Sequence, residues 1–231
     1  MLKVVLLSYT PAPEEIISKA AKLCYSPKNI TELEVTPADQ KRMVRKMFSL
    51  GHHSTLEHAA FTFGIEGISR ACSHQLVRHR MASYSQQSQR YVRFDQPFEF
   101  VTPDTVRKNR KASAAYRKIM KSLHEAYRAM IEEGIPAEDA RYLLPNACTT
   151  KLIMTMNARE LLHFFNLRLC SRAQKEIRDV AAAMLSQVRK VTPHIFEKAG
   201  PTCISYGYCR EEAKDCPLYS RLNKKPSTAG L

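Results

Sequence analysis

The sequence predicts an α+β fold that is mainly helical, with a small antiparallel sheet. Its 231 residues, 44% of them hydrophobic, suffice for one compact domain with a modest appendage. Apolar residues recur mostly at helical spacing, and only short runs alternate as half-buried strands do. We therefore expect several helices and a few strands in a domain over residues 1–200, followed by a tail over residues 201–231.

The first third of the chain is predicted to mix strands with helices. Thr36 has the position of an N-cap, because Pro37 follows it at the first helical position, and Gly51 is a helix stop. Phe61, Phe63 and Ile65 alternate with polar or small residues, which is typical of a strand. The pattern predicts a strand, two helices, a second strand and a polar helix over residues 3–9, 14–24, 37–51, 61–65 and 69–77.

The remainder is predicted to be mostly helical. A helix over residues 104–133 ends at Gly134. Its apolar stripe consists of Tyr116, Ile119, Met120, Leu123, Tyr127, Met130 and Ile131. A short helix, a strand and two further helices are expected over residues 136–145, 151–156, 157–168 and 171–190. From Gly200 onward the periodicity ends, so a loosely packed tail is expected.

Charge and cysteine content narrow the class of protein. Lysine and arginine exceed aspartate and glutamate by 14, which favours anionic partners. Residues 105–128 contain eight basic residues and one acid, either as a solvated helix face or as a funnel for anionic ligands. We find no apolar run long enough for a membrane span or a signal peptide. The seven cysteines are expected to be reduced, so a cytoplasmic protein is predicted.

The densest functional signal is a segment without acidic residues between Gly67 and Phe94. It contains Arg78, His79 and Arg80, followed by Ser, Gln and Arg90. Arginines without a carboxylate are costly to bury unless an external anion binds them, and a guanidinium donates paired hydrogen bonds to phosphate. The segment therefore predicts either an anion site or a surface strand with solvated arginines.

Two further clusters carry polar side chains. Residues 51–58 contain three histidines and Glu57, but without the His-Glu-x-x-His pattern of zinc enzymes. This cluster is expected either to form structural hydrogen bonds or to hold a polar cofactor. On the predicted helix 157–168, Arg159 and His163 share one face because they are one turn apart. Arg168 follows an aromatic pair on the same helix, where an arginine either snorkels or holds a ligand in a dry pocket.

Several alternatives find little support in the sequence. With seven glycines and no glycine-rich phosphate loop, any nucleotide must be held by side chains. Ser83, Ser85 and Ser88 lack a nucleophile motif, so we interpret them as hydrogen-bonding groups. Cys203, Cys209 and Cys216 match no standard zinc spacing, and no metal is predicted.

These clusters resemble the flavin-dependent thymidylate synthase family. Its signature is Arg-His-Arg followed after seven or eight residues by Ser, and here Arg78-His79-Arg80 is followed after seven residues by Ser88. Further elements appear in the order of the family, across about residues 1–200: Gly51-His52, Glu57-His58, Gln75, Ala140-Arg141, Asn157-Ala158-Arg159, Asn166-Leu167-Arg168 and Ala173-Gln174. The resemblance implies the family's α+β fold and a homotetramer with active sites between subunits.

The resemblance also implies roles for individual residues. Arg168 is expected to be catalytic, by activating the pyrimidine. The residues expected to bind dUMP are Gln75, Leu76, Val77, Arg78, Gln86, Gln87, Ser88, Gln89, Arg90, Arg141 and Arg168. The residues expected to bind FAD are His52, Ser54, Glu57, Arg78, His79, Arg80, Gln86, Asn157, Ala158, Arg159 and His163.

The implied activity is the reductive methylation of dUMP to dTMP. Methylenetetrahydrofolate is expected to supply the carbon and NADPH the electrons, through FAD, with no protein nucleophile. A guanidinium at the uracil edge stabilises negative charge in the ring and makes its carbon more nucleophilic. The alternative is a non-catalytic RNA- or DNA-binding module, which the net charge of +14 and the basic stretch 105–128 suggest. No recognised nucleic-acid motif supports it, so no nucleic-acid partner is expected.

Overall fold

The computed structural model confirms a mainly helical α+β fold with a small four-stranded antiparallel sheet. It describes residues 1–222, except for the side chains of Ser220 and Arg221. The strands are β1 (Lys3–Tyr9), β2 (Ala60–Ser69), β3 (Ala82–Gln86) and β4 (Thr149–Asn157), paired in the order β1-β2-β4-β3. The α-helices are α1 (Pro13–Leu23), α2 (Pro37–Leu50), α3 (Arg70–Leu76), α4 (Asp104–Lys108), α5 (Arg110–Glu132), α6 (Ala137–Ala140), α7 (Ala158–Arg168), α8 (Lys175–Val191) and α9 (Thr202–Ser205). Short 3₁₀ turns cover Ile30–Glu32, Ser54–His58, Arg141–Leu143 and Tyr219–Leu222.

The chain divides into two compact units. Unit 1 consists of Met1–Lys3, Gly64–Arg78 and Tyr84–Met154. Unit 2 consists of Val4–Phe63, His79–Ser83 and the chain from Thr155 on. Because β2 and β4 each change unit partway along, every unit contains part of the sheet and its own set of helices.

Helix α2 begins and ends where the sequence predicts. The Thr36 hydroxyl accepts a hydrogen bond from the Asp39 backbone N–H, and the Asp39 carboxylate accepts one from the Thr36 backbone N–H, forming a capping box. Gly51 follows with φ +69°, in the left-handed region that glycine adopts without strain. Val44 and Met47 of this helix are buried. Local cap chemistry was therefore sufficient to locate this helix.

Two predicted helices were wrong in detail. The helix expected over 104–133 is broken at Asn109, whose extended backbone ends α4 and whose side chain accepts a hydrogen bond from the Ala112 N–H to begin α5. Within α5, Ile119 of the predicted stripe is exposed, although Met120 and Tyr127 are buried. The helix expected from residue 171 begins only at Lys175, because residues 170–173 form turns.

Each unit has its own hydrophobic core. In unit 1, Phe98, Met120 and Cys148 are buried together against α5. In unit 2, Phe61 of β2 and Phe165 of α7 both contact Phe196 edge-on, at centroid distances of 5.6 and 5.8 Å. The aromatic core of unit 2 therefore fixes α7, the helix that carries Arg159, His163 and Arg168.

One close backbone approach lies in unit 1. Gly67, in β2, has φ +72°, and a Cβ at this position would lie 2.4 Å from the Met1 carbonyl oxygen. A side chain here would be strained and would displace the N-terminus, so only glycine fits. Among the described residues, no helix is both long and apolar enough to cross a membrane.

Candidate active site

The predicted site residues fall in both units. Unit 1 contains Gln75, Leu76, Val77, Arg78, Gln86, Gln87, Ser88, Gln89, Arg90 and Arg141. Unit 2 contains His52, Ser54, Glu57, His79, Arg80, Asn157, Ala158, Arg159, His163 and Arg168. Apart from Arg168, the residues expected to bind dUMP therefore lie in unit 1, while those expected to bind FAD alone lie in unit 2.

The most ordered group of polar side chains lies around His79 in unit 2. Its imidazole Nδ1 lies 2.8 Å from Glu160 Oε1, and Arg168 Nε donates a hydrogen bond to His79 Nε2 at 3.0 Å. Because Nε2 accepts this hydrogen bond, the proton of the neutral ring lies on Nδ1 and is donated to the carboxylate. Glu160, His79 and Arg168 thus form one hydrogen-bonded chain that we call the α7 relay.

Helix α7 positions two members of the relay. Asn157 caps its N-terminus, because its side-chain oxygen accepts a hydrogen bond from the Glu160 backbone N–H at 2.9 Å. Phe164, one turn after Glu160, is fully buried and packs edge-on against the His79 ring at 4.9 Å. Arg168 is the last residue of the helix. The cap and the aromatic contact together hold the His79 ring between the two charged groups.

Burial lowers the pKa of His79 below its usual range. The hydrogen bond to Glu160 raises this pKa in part, and the neighbouring Arg168 charge lowers it. The imidazole is therefore neutral at physiological pH, as its role as acceptor from Arg168 requires. Protonation would convert that acceptor into a donor facing a cation.

His79, Glu160 and His163 also place their ligand atoms within 4.8 Å of one another, a spacing that could hold a metal ion. However, both ring nitrogens of His79 already have hydrogen-bond partners in Glu160 and Arg168. A metal would have to displace one of these contacts. We therefore interpret the group as a hydrogen-bonded relay. Glu160 was not among the residues that the sequence predicted for the site, and only its contact with His79 identifies it.

A second polar group in unit 2 joins the turn 54–58 to α7. Arg159 Nη1 donates a hydrogen bond to Glu57 Oε1 at 2.5 Å, and both side chains are about half exposed. Nearby, burial lowers the pKa of His53, and the Arg159 charge lowers it further. Its Nε2 atom is buried without a hydrogen-bond partner, a costly state that a ligand would relieve. From the sequence, His53 belongs to a cluster that could form structural hydrogen bonds or hold zinc or a polar cofactor. The structural signal that distinguishes it is this orphaned nitrogen.

The predicted site arginines of the acid-free segment are open to solvent, which is one of the two alternatives that the sequence left. Arg78 and Arg90 are exposed, as is Arg80 in unit 2, so no buried cation requires an external anion. Arg90 is also not unpaired, because its guanidinium contacts Glu138 Oε2 through Nη2 at 2.7 Å and Nε at 2.9 Å. The carboxylate comes from α6, a partner that the sequence could not reveal. In unit 2, Arg159 likewise pairs with a carboxylate, that of Glu57.

Polar side chains next to these arginines are ordered by the protein itself. Gln86 Nε2 donates hydrogen bonds to Ser73 Oγ at 3.0 Å and to Thr150 Oγ1 at 3.1 Å. Arg141 Nε donates to the Glu138 carbonyl oxygen at 3.0 Å, on the same helix whose carboxylate pairs with Arg90. Unit 1 thus brings Arg90 and Arg141 together around Glu138 and fixes Gln86 separately.

A cavity of about 460 Å³ also lies in unit 2. Phe48, Leu162 and His194 are among its lining residues, and no predicted site residue lines it. Two of its lining residues are cations, Arg45 and Lys198, and Arg45 is paired with Glu197 by contacts of 2.8 and 3.2 Å. The predicted site residues therefore lie outside this cavity.

The basic run 105–128 lies on α4 and α5 in unit 1. Its basic side chains are exposed, and Lys121 and Arg128 pair with acids one turn away at 3.7 and 2.6 Å. Such pairs are typical of a solvated helix face. The structure adds no observation that favours a nucleic-acid site.

The fold has a known counterpart. A UMP/dUMP methylase, PolB from Streptomyces cacaoi, solved with 5-Br dUMP, superposes with a TM-score of 0.74, at 23% identity, over 85% of this chain and 94% of that chain. The chain therefore has the fold of a nucleotide methylase.

Sequence comparisons identify the family as well as the fold. The sequence profile of the family described as thymidylate synthase complementing protein matches residues 5–194. A flavin-dependent thymidylate synthase from Geobacter sulfurreducens is 53% identical over 93% of this chain and 94% of that protein. One from Clostridium tetani is 44% identical over 96% of both chains. The chain belongs to the flavin-dependent thymidylate synthase family, as its motifs predicted.

Proposed function

We propose that this enzyme converts dUMP to dTMP, with methylenetetrahydrofolate as carbon donor and NADPH as reductant through FAD. The observation that carries the proposal is the α7 relay, which holds the Arg168 guanidinium by a 3.0 Å hydrogen bond to a neutral, buried His79. A fixed cation of this kind is suited to stabilising negative charge that develops on a uracil ring. The roles below belong to this proposal.

Arg168 activates the pyrimidine. Its planar guanidinium donates hydrogen bonds to the edge of the uracil ring and stabilises negative charge delocalised over it, so that the ring carbon becomes a better nucleophile. His79 positions Arg168 by accepting from Nε, and Glu160 positions His79 by accepting from Nδ1. Positioning in advance lowers the reorganisation needed in the transition state.

No protein nucleophile is needed in this scheme, and the state of Cys148 supports that conclusion. Burial raises the pKa of this thiol to about 11, although the Arg70 charge lowers it in part. At neutral pH the reactive thiolate is a very small fraction of Cys148. Cys72 is also buried, so neither of these cysteines of unit 1 is suited to attack a pyrimidine.

The side chains of unit 2 fit a flavin cofactor. Arg80 and Arg159 supply cationic donors for a pyrophosphate, and Ser54 and His163 supply further hydrogen-bond donors. His53 Nε2 is a buried polar atom without a partner, as expected for a group that contacts a ligand. FAD bound here by the predicted residues would supply hydride transfer, which no amino-acid side chain performs.

The residues of unit 1 bind the nucleotide in this proposal. Arg78, Arg90 and Arg141 neutralise the phosphate, and Ser88 adds a hydroxyl donor. Gln86 is already fixed by Ser73 and Thr150, so it offers its remaining amide oxygen at a defined position. Gln75, Gln87 and Gln89 add neutral hydrogen bonds, and Leu76 and Val77 complete the surface around them.

The quaternary structure and location complete the proposal. We propose a homotetramer with active sites between subunits, working in the cytoplasm without nucleic-acid or membrane partners. Size-exclusion chromatography with light scattering tests the tetramer directly.

The function is tested with dUMP labelled with tritium at the ring carbon that is methylated. The purified protein is expected to be yellow and to release tritium only when both the folate and a reductant are present. Omission of either compound is the internal control. Colourless protein that binds no FAD on reconstitution, or tritium release without the folate, would contradict the proposal.

A further inference from the structure

Four cysteines of unit 2 converge on one small cavity. Cys170 lies just after α7, Cys203 lies in α9, and Cys209 and Cys216 lie in the turns that follow. All four line an enclosed space of about 20 Å³, and none is in a disulfide. A space of this size holds about one water-sized particle.

Folding brings a fourth cysteine to the three cysteines of the C-terminal segment. Cys203, Cys209 and Cys216 are too widely and unusually spaced for a standard zinc motif. Cys170, far earlier in the chain, completes a set of four thiols when the C-terminal segment packs beside the end of α7. Four sulfur ligands around a single ion is the closed arrangement of structural zinc sites.

The surroundings of the thiols suit a bound dication. Ser171 Oγ donates a hydrogen bond to Cys216 Sγ at 3.1 Å, so one sulfur is already oriented by a neighbouring side chain. Close thiolates repel one another, and a dication between them removes that repulsion and deprotonates them.

The segment around the thiols is braced by charged contacts. Arg172 pairs with Asp215 at 3.1 Å, which joins the residues after α7 to the loop before Cys216. Arg178 Nη1 donates to the Ser171 carbonyl oxygen at 2.9 Å. The charged residues that line the cavity itself are Arg210 and Glu211. These contacts hold the ligand-bearing segments near each other independently of any ion.

We infer that Cys170, Cys203, Cys209 and Cys216 bind one Zn²⁺ ion that fastens the C-terminal segment to the end of α7. Soft thiolate ligands exclude Mg²⁺ and Ca²⁺, and a space for one particle is too small for an iron–sulfur cube. Binding requires the four sulfur atoms to move closer together. No three of them lie within 4.8 Å of one another, whereas Zn–S bonds of about 2.3 Å place the sulfur atoms about 3.8 Å apart. Rotation of the cysteine side chains and small loop shifts provide this closure.

The metal content of the untagged full chain tests the inference. Protein purified under reducing conditions without chelators is expected to contain about one Zn²⁺ per chain by mass spectrometry. Replacement by Co²⁺ is expected to give absorption bands between about 600 and 750 nm, beyond the flavin bands, as four-sulfur tetrahedral sites do. A chain that contains less than a tenth of an equivalent and shows no cobalt bands would overturn the inference. Iron with inorganic sulfide in place of zinc would also overturn it.

Variants assign the ion to these cysteines. Cys203→Ser and Cys209→Ser are each expected to lower zinc at least tenfold. Cys24→Ser is the matched control, because Cys24 is exposed and far outside the set, and it is expected to retain the ion. His163→Gln separates this site from the group formed by His79, Glu160 and His163, and zinc is expected to remain. Zinc kept by both serine variants, or lost in His163→Gln, would contradict the assignment. The measurement does not depend on flavin or nucleotide binding, so it stands apart from the proposed function.

Discussion

The charged groups of the two units differ in their burial and in their hydrogen bonding. In unit 2, Glu160, His79 and Arg168 are hydrogen-bonded in a chain around a buried ring. In unit 1, Arg90 is exposed and its contact with Glu138 lies in solvent. The first arrangement exists before any ligand binds, whereas the second is a half-exposed surface pair that a ligand can replace. We therefore expect changes in unit 2 to act on turnover and changes in unit 1 to act on substrate affinity.

The largest effect is expected at the end of the α7 relay. Arg168→Ala removes the cation that stabilises the activated pyrimidine, so kcat should fall about a thousandfold or more. The flavin spectrum should be unchanged, since Arg168 is not among the residues assigned to FAD. Steady-state kinetics and a visible spectrum of the same preparation measure both quantities.

Arg168→Lys is the matched control for charge. A lysine keeps the positive charge but not the planar fork, so its kcat should also be strongly reduced. Normal turnover in Arg168→Ala would exclude activation by this residue. Normal turnover in the lysine variant alone would show that charge suffices and that the relay's geometry is not required.

The next largest effect is expected in unit 1. Arg90→Ala removes a charged donor to the nucleotide phosphate, so the KM for dUMP should rise about tenfold to a hundredfold, with kcat nearly unchanged. Arg117→Ala, an exposed arginine of α5, is the control for loss of a positive charge from the same unit. A large fall in kcat with constant KM would mean that Arg90 acts on turnover, as the α7 relay does, and not on the affinity for dUMP.

A third prediction concerns the acid of the relay. Glu160→Gln keeps the shape of the side chain but removes the charge that orients His79, so kcat should fall about tenfold with little change in KM. Glu160 raises the pKa of His79, and its loss should therefore lower that pKa further.

The pH profile separates this positioning role from a purely structural one. Activity requires neutral His79, so it should fall as the pH decreases through the pKa of His79, which lies below its usual value of about 6.5. In Glu160→Gln this acid limb should move to lower pH. An unchanged limb, or a shift to higher pH, would show that His79 does not control the profile.

The contrast between the units also explains what sequence could reveal. Caps and stops are local, so Thr36, Pro37 and Gly51 located α2 correctly. Asn109 broke the predicted long helix because the apolar stripe runs across a cap that periodicity alone does not detect. The family motif identified Arg168 and His79 individually.

The partners of these residues were harder to predict. Glu160 and His79 are distant in sequence, as are Arg90 and Glu138. Composition does not show which acidic side chain contacts which basic one. The segment between Gly67 and Phe94 contains no acid, yet the fold brings Glu138 to it from α6. Tertiary folding likewise places Cys170 beside three cysteines from later in the chain. Tertiary contacts decide the charge state of a site, while local pattern decides only its residue types.

The smallest effect is expected from Glu138→Gln, the counterpart in unit 1 of Glu160→Gln. The Arg90–Glu138 pair is about half exposed on both sides, and exposed ion pairs contribute about 0–1 kcal/mol. Loss of the acid frees Arg90 for the nucleotide phosphate, so the KM for dUMP should stay the same or fall, by less than about threefold, while kcat is unchanged. Parallel kinetics of the two glutamine variants make the comparison direct. Equal losses of kcat in both would show that unit 1 is as preorganised as unit 2, because an acid that only screens a surface arginine has no means of slowing the chemical step.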